Sequence, residues 1–310
     1  MVKNIGVGVP SLYKQSHAML KLIRARIRTM PSWLIRTSAS VLAVSTIVAA
    51  MWFYTPVPTL AARHVWKQYQ GGTLTLMLDR TDTLLAMEIG EYYFGNQAAI
   101  GTSGARPYNL PLAVKAFGKA IEINPTIAIA HYMRARIEFV YADFNAALAD
   151  LNAELLLYPT NKRTLYMRGL TYAYRGLPGD LVLAEQDFEA FTAWAPREWA
   201  GYNDLAFVLA KEKKYSDAAK VLKEAIAKAE GGAENPWLWD ALGIMELNVH
   251  NPSQAVFALT KAQKYASMLT ETDWQRAYPG NNPSMALFGI EAIQGGIAKN
   301  ILKAYAALGR

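Results

Sequence analysis

The sequence contains no cysteine, which excludes disulfide staples, cysteine nucleophiles and thiolate metal sites. Histidine is scarce as well. The four, at positions 17, 64, 131 and 250, are scattered, and none has a second ligand at metal spacing. Charge is thin, at 18% of residues against roughly 25% in an ordinary soluble domain. The signatures of catalysis are missing too: there is no G-x-S-x-G elbow, no phosphate-cradling loop and no dinucleotide fingerprint. Gly101-Thr102-Ser103-Gly104 lacks the lysine and the following helix start of a phosphate loop and reads as a flexible insertion. An enzymatic site in the 95–109 insertion or the C-terminal segment would need convergent titratable groups, and those stretches hold almost no histidine or acid. No metal, no cofactor and no small-molecule substrate is expected, and the chain reads as a non-enzyme.

Acid is absent from residues 1–36, where Lys3, Lys14, Lys21, Arg24, Arg26, Arg28 and Arg36 supply seven positive charges. The net charge of the whole chain is +7, so residues 37–310 are neutral in sum. A duplex-binding domain would carry its surplus on the folded body, where it could neutralise phosphates, so nucleic acid is not an expected partner. Here the surplus sits beside residues 37–62, which carry no charge of either sign.

That juxtaposition predicts a membrane segment over residues 33–56. Its 24 residues would span about 36 Å as a helix, enough for a hydrocarbon core of about 30 Å. Trp33 at one end and Trp52, Phe53 and Tyr54 at the other suit the two interfaces. Basic flanking residues on the N-terminal side predict a cytoplasmic tail over 1–32 and place everything after the anchor across the membrane, on the periplasmic or extracellular side. The alternative is a cleaved signal with Leu60-Ala61-Ala62 at the cleavage site, leaving a secreted or periplasmic protein. Within the tail, Leu12, Met19, Ile23 and Ile27 share one helical face and Lys14, Lys21, Arg24 and Arg28 the opposite one. Either a helix lying on the anionic leaflet or a loosely ordered tail fits, since Arg26 interrupts the apolar face.

A period of about 34 residues runs through the remainder. Ala113-x-x-x-Phe117-x-x-Ala120 precedes Pro125, Ala147-x-x-x-Leu151 precedes Pro159, and Ala184-x-x-x-Phe188 precedes Pro196. Gly90-x-x-Tyr93 and Gly169-x-x-Tyr172 lie upstream of two of these blocks. The pattern continues in Leu205-Ala206 with Ala218-x-x-x-Leu222-x-x-Ala225, and in Trp239-x-x-Leu242-Gly243 with Ala255-x-x-x-Leu259-x-x-Ala262. This resembles the tetratricopeptide repeat, a helix–turn–helix unit, in five copies over residues 84–267. The resemblance implies an all-α chain, a right-handed α-solenoid of stacked antiparallel helix pairs preceded by one transmembrane helix. Small residues are expected where the two helices of a pair cross, with Tyr93, Phe117, Tyr172 and Phe188 filling the space to the next pair. Each proline ends a second helix, because it cannot continue one and disfavours helix in its predecessor.

Arg134 stands 16 residues before Asp150, and Arg168 stands 19 before Asp187, the difference being three inserted residues near Leu177-Pro178-Gly179. The equivalent positions elsewhere are apolar together, so an ion pair is expected inside each of these two copies. Residues 57–83 read as a helical linker with Gly71-Gly72 as its break, or with a short strand over Thr73–Leu76. In residues 268–310, a loop over Asp273–Asn282 and a Ser284-capped apolar segment interrupted at Gly295-Gly296 read as one or two capping helices.

The resemblance implies a concave groove lined by the first helix of each copy. Its expected lining is Tyr132, Arg136 and Phe139, then Arg163, Tyr166 and Tyr174, then Asn203, Asp204 and Phe207, then Trp237, Asp240 and Ile244. Aromatics and arginines are the types that anchor partner peptides. Some members of the family clamp a terminal carboxylate with spaced Lys and Asn, a set this sequence lacks. The expected function is a membrane-anchored scaffold or assembly factor of a cell envelope holding a protein or peptide partner. A subunit of a larger membrane complex, docked through the apolar C-terminal helix, is the other form of that reading.

Overall fold

The computed structural model describes residues 21, 31–94, 108–278 and 285–309. The amphipathic pattern at 12–28 (Lys21 excepted), the insertion with Gly101, Gly104 and Pro107, and Ser284 lie outside the described residues. Among the described residues there are fifteen α-helices and no strand. The chain divides into two units after Ala61.

In the first unit, α1 (Ser32–Tyr54) is apolar on every side, and Val41, Leu42, Val44, Ile47 and Val48 are all exposed. Two of its hydroxyls bond within the helix: Ser45 Oγ donates to the Val41 carbonyl at 2.7 Å and Thr46 Oγ1 to that of Leu42 at 2.8 Å. No single described helix is long and apolar enough to cross a membrane. Only the bent pair of Ser40–Trp52 with Val57–Tyr69 has the length and composition together.

The second unit begins within α2 (Val57–Tyr69), whose Ala62 and Trp66 are buried against Leu85, Ile89 and Ala116. A short helix α3 (Gly72–Leu78) follows. The break before it falls at Gln70 and Gly71, and Gly72 is its first residue. Gly72 is helical there because its missing Cβ admits the Tyr93 ring, which any Cβ would overlap.

Five antiparallel helix pairs follow. They are α4 (Thr83–Phe94) with α5 (Leu110–Ile123), α6 (Ala130–Val140) with α7 (Phe144–Leu157), α8 (Arg163–Arg175) with α9 (Asp180–Trp194), α10 (Trp199–Lys211) with α11 (Tyr215–Lys228), and α12 (Pro236–Asn248) with α13 (Pro252–Ala266). The second helix of each pair packs on the first helix of the next. The first helices α6, α8, α10 and α12 also touch in series, forming an inner layer. Proline places the ends: α5, α7 and α9 stop two residues before Pro125, Pro159 and Pro196. Pro236 and Pro252 open α12 and α13, where the missing N–H would have no helical partner anyway.

The crossing geometry corrects one expectation. Phe117 and Phe188 fill the space inside their own pair as well as facing the next one. A Cβ on Gly90 would stand 2.6 Å from the Phe117 ring, and one on Gly169 would stand 3.0 Å from the ring of Phe188. Gly243 receives Leu259 in the same way. A glycine opens the face of the first helix, and a bulky side chain of the partner helix occupies the opening. Gly201 does this between pairs, admitting Phe191 of the preceding one at 2.6 Å.

Both Arg–Asp pairs are formed and bidentate. Arg134 donates from Nε and Nη2 to the two oxygens of Asp150 at 2.5 and 2.6 Å, and Arg168 does the same to Asp187 at 2.8 and 2.8 Å. Arg168 Nη1 also reaches back to Asn152 of the preceding pair at 3.0 Å. A third bidentate pair closes the Gly176–Gly179 turn, Arg175 to Asp180 at 2.9 and 2.7 Å, and Arg175 Nη1 donates to Asn145 at 3.1 Å.

After α13 the expected loop is partly helix. Thr270 and Asp273 form a reciprocal capping box, satisfying the first amides of α14 (Glu271–Ala277). The last helix, α15 (Ala286–Ala307), runs unbroken through Gly295 and Gly296. Buried Ile290, Ile297 and Ala304, seven residues apart, form one stripe of it, Ile290 against Trp274 of α14 and the other two against α13, and outweigh the low helix propensity of two glycines.

Candidate functional site

The inner layer carries two cavities and an aromatic bridge between them. The first cavity, about 500 Å³, lies where α4, α6 and the start of α8 converge. Tyr132, Arg136 and Arg163 line it together with Glu91, Phe94 and Glu154. The Arg136 guanidinium rests 4.6 Å from the Phe94 ring centre, and burial pushes its pKa down from the ordinary arginine value. Glu154 is wholly buried and accepts from the amides of Ile129 at 3.1 Å and Tyr132 at 3.4 Å, and from Asn161 Nδ2 at 3.2 Å. It caps the first turn of α6 with a charge suited to the positive end of the helix dipole. Its place, 25 residues beyond Ile129 in the chain, gave sequence reasoning no local signal.

The bridge is a line of rings. Phe139 meets Tyr174 edge to face with centres 5.4 Å apart, and Tyr174 stacks on Phe207 at 6.0 Å. Tyr174 is 55% exposed and Phe207 38%, so this line is open to a partner. Lys211 Nζ lies 4.7 Å from the Phe207 centre while donating to the Ala173 carbonyl at 2.9 Å. Tyr166 points elsewhere. Its ring packs on Phe188 and Phe191, and its hydroxyl donates to Asp204 Oδ2 at 2.7 Å, which leaves it largely covered. Burial pushes the Tyr166 hydroxyl well above its usual pKa, with the Asp204 charge adding to the effect. Burial also pushes the Asp204 carboxyl up to about 6, against the stabilising hydrogen bonds from Tyr166 and Asn203.

The second cavity, about 540 Å³, is where the rest of the expected set converges. Asn203, Phe207, Trp237, Asp240 and Ile244 all line it, from α10 and α12. The C-terminal elements complete it with Tyr278, Ile293 and Gly296. Trp237 stacks on Trp199 at 5.3 Å and meets Tyr278 edge to face at 6.2 Å. Asp240 accepts from Asn300 Nδ2 of α15 at 3.0 Å, and burial raises its pKa. Tyr278, Lys211 and Asn300 were not anticipated. Lys211 lies one helical turn from Phe207 and could have been found by extending the same face, whereas Asn300 is 60 residues from its partner.

Among the described residues, no group of three or more His, Asp or Glu side chains could hold a metal ion. No protein-family model and no curated protein matches the chain. Solved structures do. The type IV pilus biogenesis factor PilW superposes with a TM-score of 0.51 at 15% identity, over 74% of this chain and 93% of that one. MamA from Desulfovibrio magneticus RS-1, residues 41 to the end, gives 0.50 at 15% identity, over 60% and 96%. The TPR protein TTC0263 of Thermus thermophilus gives 0.47 at 20% identity, over 67% and 100%. The fold is the tetratricopeptide-repeat fold. At these identities the likeness concerns the stacked helix pairs alone, and tetratricopeptide-like stacking accounts for the open inner face between α4 and α15.

Proposed function

We propose that this chain is a membrane-anchored interaction scaffold that holds a protein or peptide partner on the inner face of its repeats. The observation that carries the reading is the ring line Phe139–Tyr174–Phe207, exposed at Tyr174 and Phe207 and reaching the second cavity at Phe207. Rigid aromatics on a preformed surface bind with little loss of side-chain freedom. The test is a pull-down from membranes using the full chain, comparing it with a Tyr174→Ala/Phe207→Ala variant and with the surface control Leu156→Ala. Loss of specific partners from the double variant alone supports the groove. Equal recovery from all three removes it.

The anchor is part of the same proposal. Residues 33–56 would tether the repeats, with residues 1–32 in the cytoplasm and the repeats on the far side. Seven basic residues without an acid precede the segment, and the exposed apolar surface of α1 together with its two hydroxyls bonded within the helix suits a lipid environment. Retention is favoured over cleavage at Leu60-Ala61-Ala62, because Ala62 is buried in the packing of α2. Alkaline carbonate extraction and protease protection in sealed vesicles test this. Release of the repeats into the soluble fraction, or their protection on the cytoplasmic side, would overturn the assignment.

A further inference from the structure

The acids withdrawn from water in the helix pairs are held in three ways, and one of them, Glu154, is satisfied by the amides of Ile129 and Tyr132 and by Asn161. Asp150, Asp180, Asp187 and Glu246 each meet a cation, from Arg134, Arg175, Arg168 and Lys223 respectively. Asp204 and Asp240 do not. Among the described residues, Asp204 is held by the neutral Tyr166 hydroxyl at 2.7 Å and the Asn203 amide at 3.3 Å, and Asp240 by the Asn300 amide at 3.0 Å. The paired acids stabilise the interior of the repeats, whereas the two unpaired ones stand on the inner-layer helices α10 and α12. Asp240 lines the second cavity, and Asp204 lies in the chain between two of its lining residues, Asn203 and Phe207.

A carboxylate withdrawn from water without a counter-charge is unfavourable until a cation arrives. Burial raises both groups, Asp204 to about 6, so at pH 7.5 Asp204 is mostly ionised. The negative potential reaches the cavity wall: burial pushes up the Tyr278 hydroxyl, and the Asp204 charge contributes. The walls are Phe207, Trp237 and Tyr278, whose ring faces attract cations. Lys211, which itself lines the cavity, already sets a primary ammonium over the Phe207 ring.

We propose that the second cavity receives a lysine or arginine side chain of a partner peptide, its cation set against Asp240 and the Trp237 and Tyr278 rings within the field of Asp204. The inference rests on the reading of the inner face as a partner-binding surface and supplies the chemistry of the partner. An acidic or phosphate-bearing segment would meet two unfavourable charges at this point. The facing groups that set the pH response are Tyr166 and Tyr174 from α8, Lys211 from α10, Asn300 from α15, and Tyr278. Burial holds the Asp204 carboxyl up at about 6, so acidification below that discharges it.

The experiment pans a display library of end-blocked random decapeptides against the full chain in detergent at pH 7.5. The expected result is enrichment of Lys or Arg at one fixed position. Replacing that residue by Gln, or using Asp240→Asn, should each weaken the best binder about tenfold, a loss of about 1.4 kcal/mol. Moving to pH 5 should weaken it in the same direction. Trp237→Phe, which keeps the packing, should show a smaller loss and guards against a folding defect in Asp240→Asn. Binders with no basic position that are lost in Tyr174→Ala/Phe207→Ala would overturn the cation assignment and leave the groove reading standing. Binders indifferent to that double variant, or no binders at all, would overturn both. Free arginine binding as tightly as the peptide would overturn the docking of a peptide.

Discussion

Arg134 and Asp150 share two parallel hydrogen bonds, 2.5 and 2.6 Å long, across the helices of one repeat, with His131 Nδ1 2.8 Å from the same carboxylate. The carboxylate is buried, so its removal and its neutralisation have different consequences. Arg134→Met leaves a buried charge and is expected to lower stability by about 3 kcal/mol. Arg134→Met with Asp150→Leu removes the charge too and should recover more than half of that loss. Urea unfolding of the two variants and the parent checks both values, and a double variant as unstable as the single one would contradict the argument.

Glu138 stands beside this pair, its Oε1 3.6 Å from Arg134 Nε. Burial and then the Asp150 charge push its carboxyl up to about 7, against the pull of Arg134. The folded form therefore binds this proton more tightly than the unfolded chain, whose glutamate titrates near 4.5. Between those values stability falls as pH rises, because ionising Glu138 is less favourable in the native state. Glu138→Gln should stabilise the protein by an amount on the order of 2 kcal/mol at pH 8, with the gain fading towards pH 4.5. Thermal melts across that range measure it.

Glycines in this chain should answer oppositely to the same substitution. Gly90→Ala sets a methyl 2.6 Å from the buried Phe117 ring and is expected to cost about 2 kcal/mol. Gly295→Ala meets nothing within 4 Å inside a continuous helix and should gain about 1 kcal/mol. Differential scanning calorimetry separates the two by sign.

The turns inside three helix pairs place a residue with a side chain in the left-handed region: Ala142 at φ 57°, Lys213 at 64° and His250 at 59°. That conformation costs an L-residue about 1 kcal/mol, which glycine escapes. Ala142→Gly, Lys213→Gly and His250→Gly should each raise stability by up to about 1 kcal/mol, less the entropy glycine adds to the unfolded chain. The turns lie in separate repeats, so denaturation midpoints of the triple variant should show near-additive gains.

The repeat architecture was legible because its signals are local. A proline ends a helix wherever it stands, a glycine marks a close crossing, and an Arg–Asp spacing that lengthens by three with an insertion of three betrays a contact. Other features obey only tertiary distance. Glu154 capping α6 and Asn300 holding Asp240 join residues whose separation along the chain follows no period. The helix at Glu271–Ala277 was legible in principle, since Thr270-x-x-Asp273 is a capping box, but neighbouring loop-forming residues masked it. Of the groove residues, Tyr166 shows the limit most clearly. Its ring packs on Phe188 and Phe191 and its hydroxyl bonds Asp204, tertiary contacts that make a half-buried strut of an expected contact residue.

Arg168 and Arg175 each grip an aspartate of their own repeat with two bonds and an asparagine of the preceding repeat with a third. The third and fourth pairs are stitched as well, by Tyr166 to Asp204, Lys211 to the Ala173 carbonyl and Lys214 to Glu185. The middle of the array therefore acts as a rivet. Tension applied between its ends would peel the outer hairpins singly, while the second, third and fourth would let go together in one larger step.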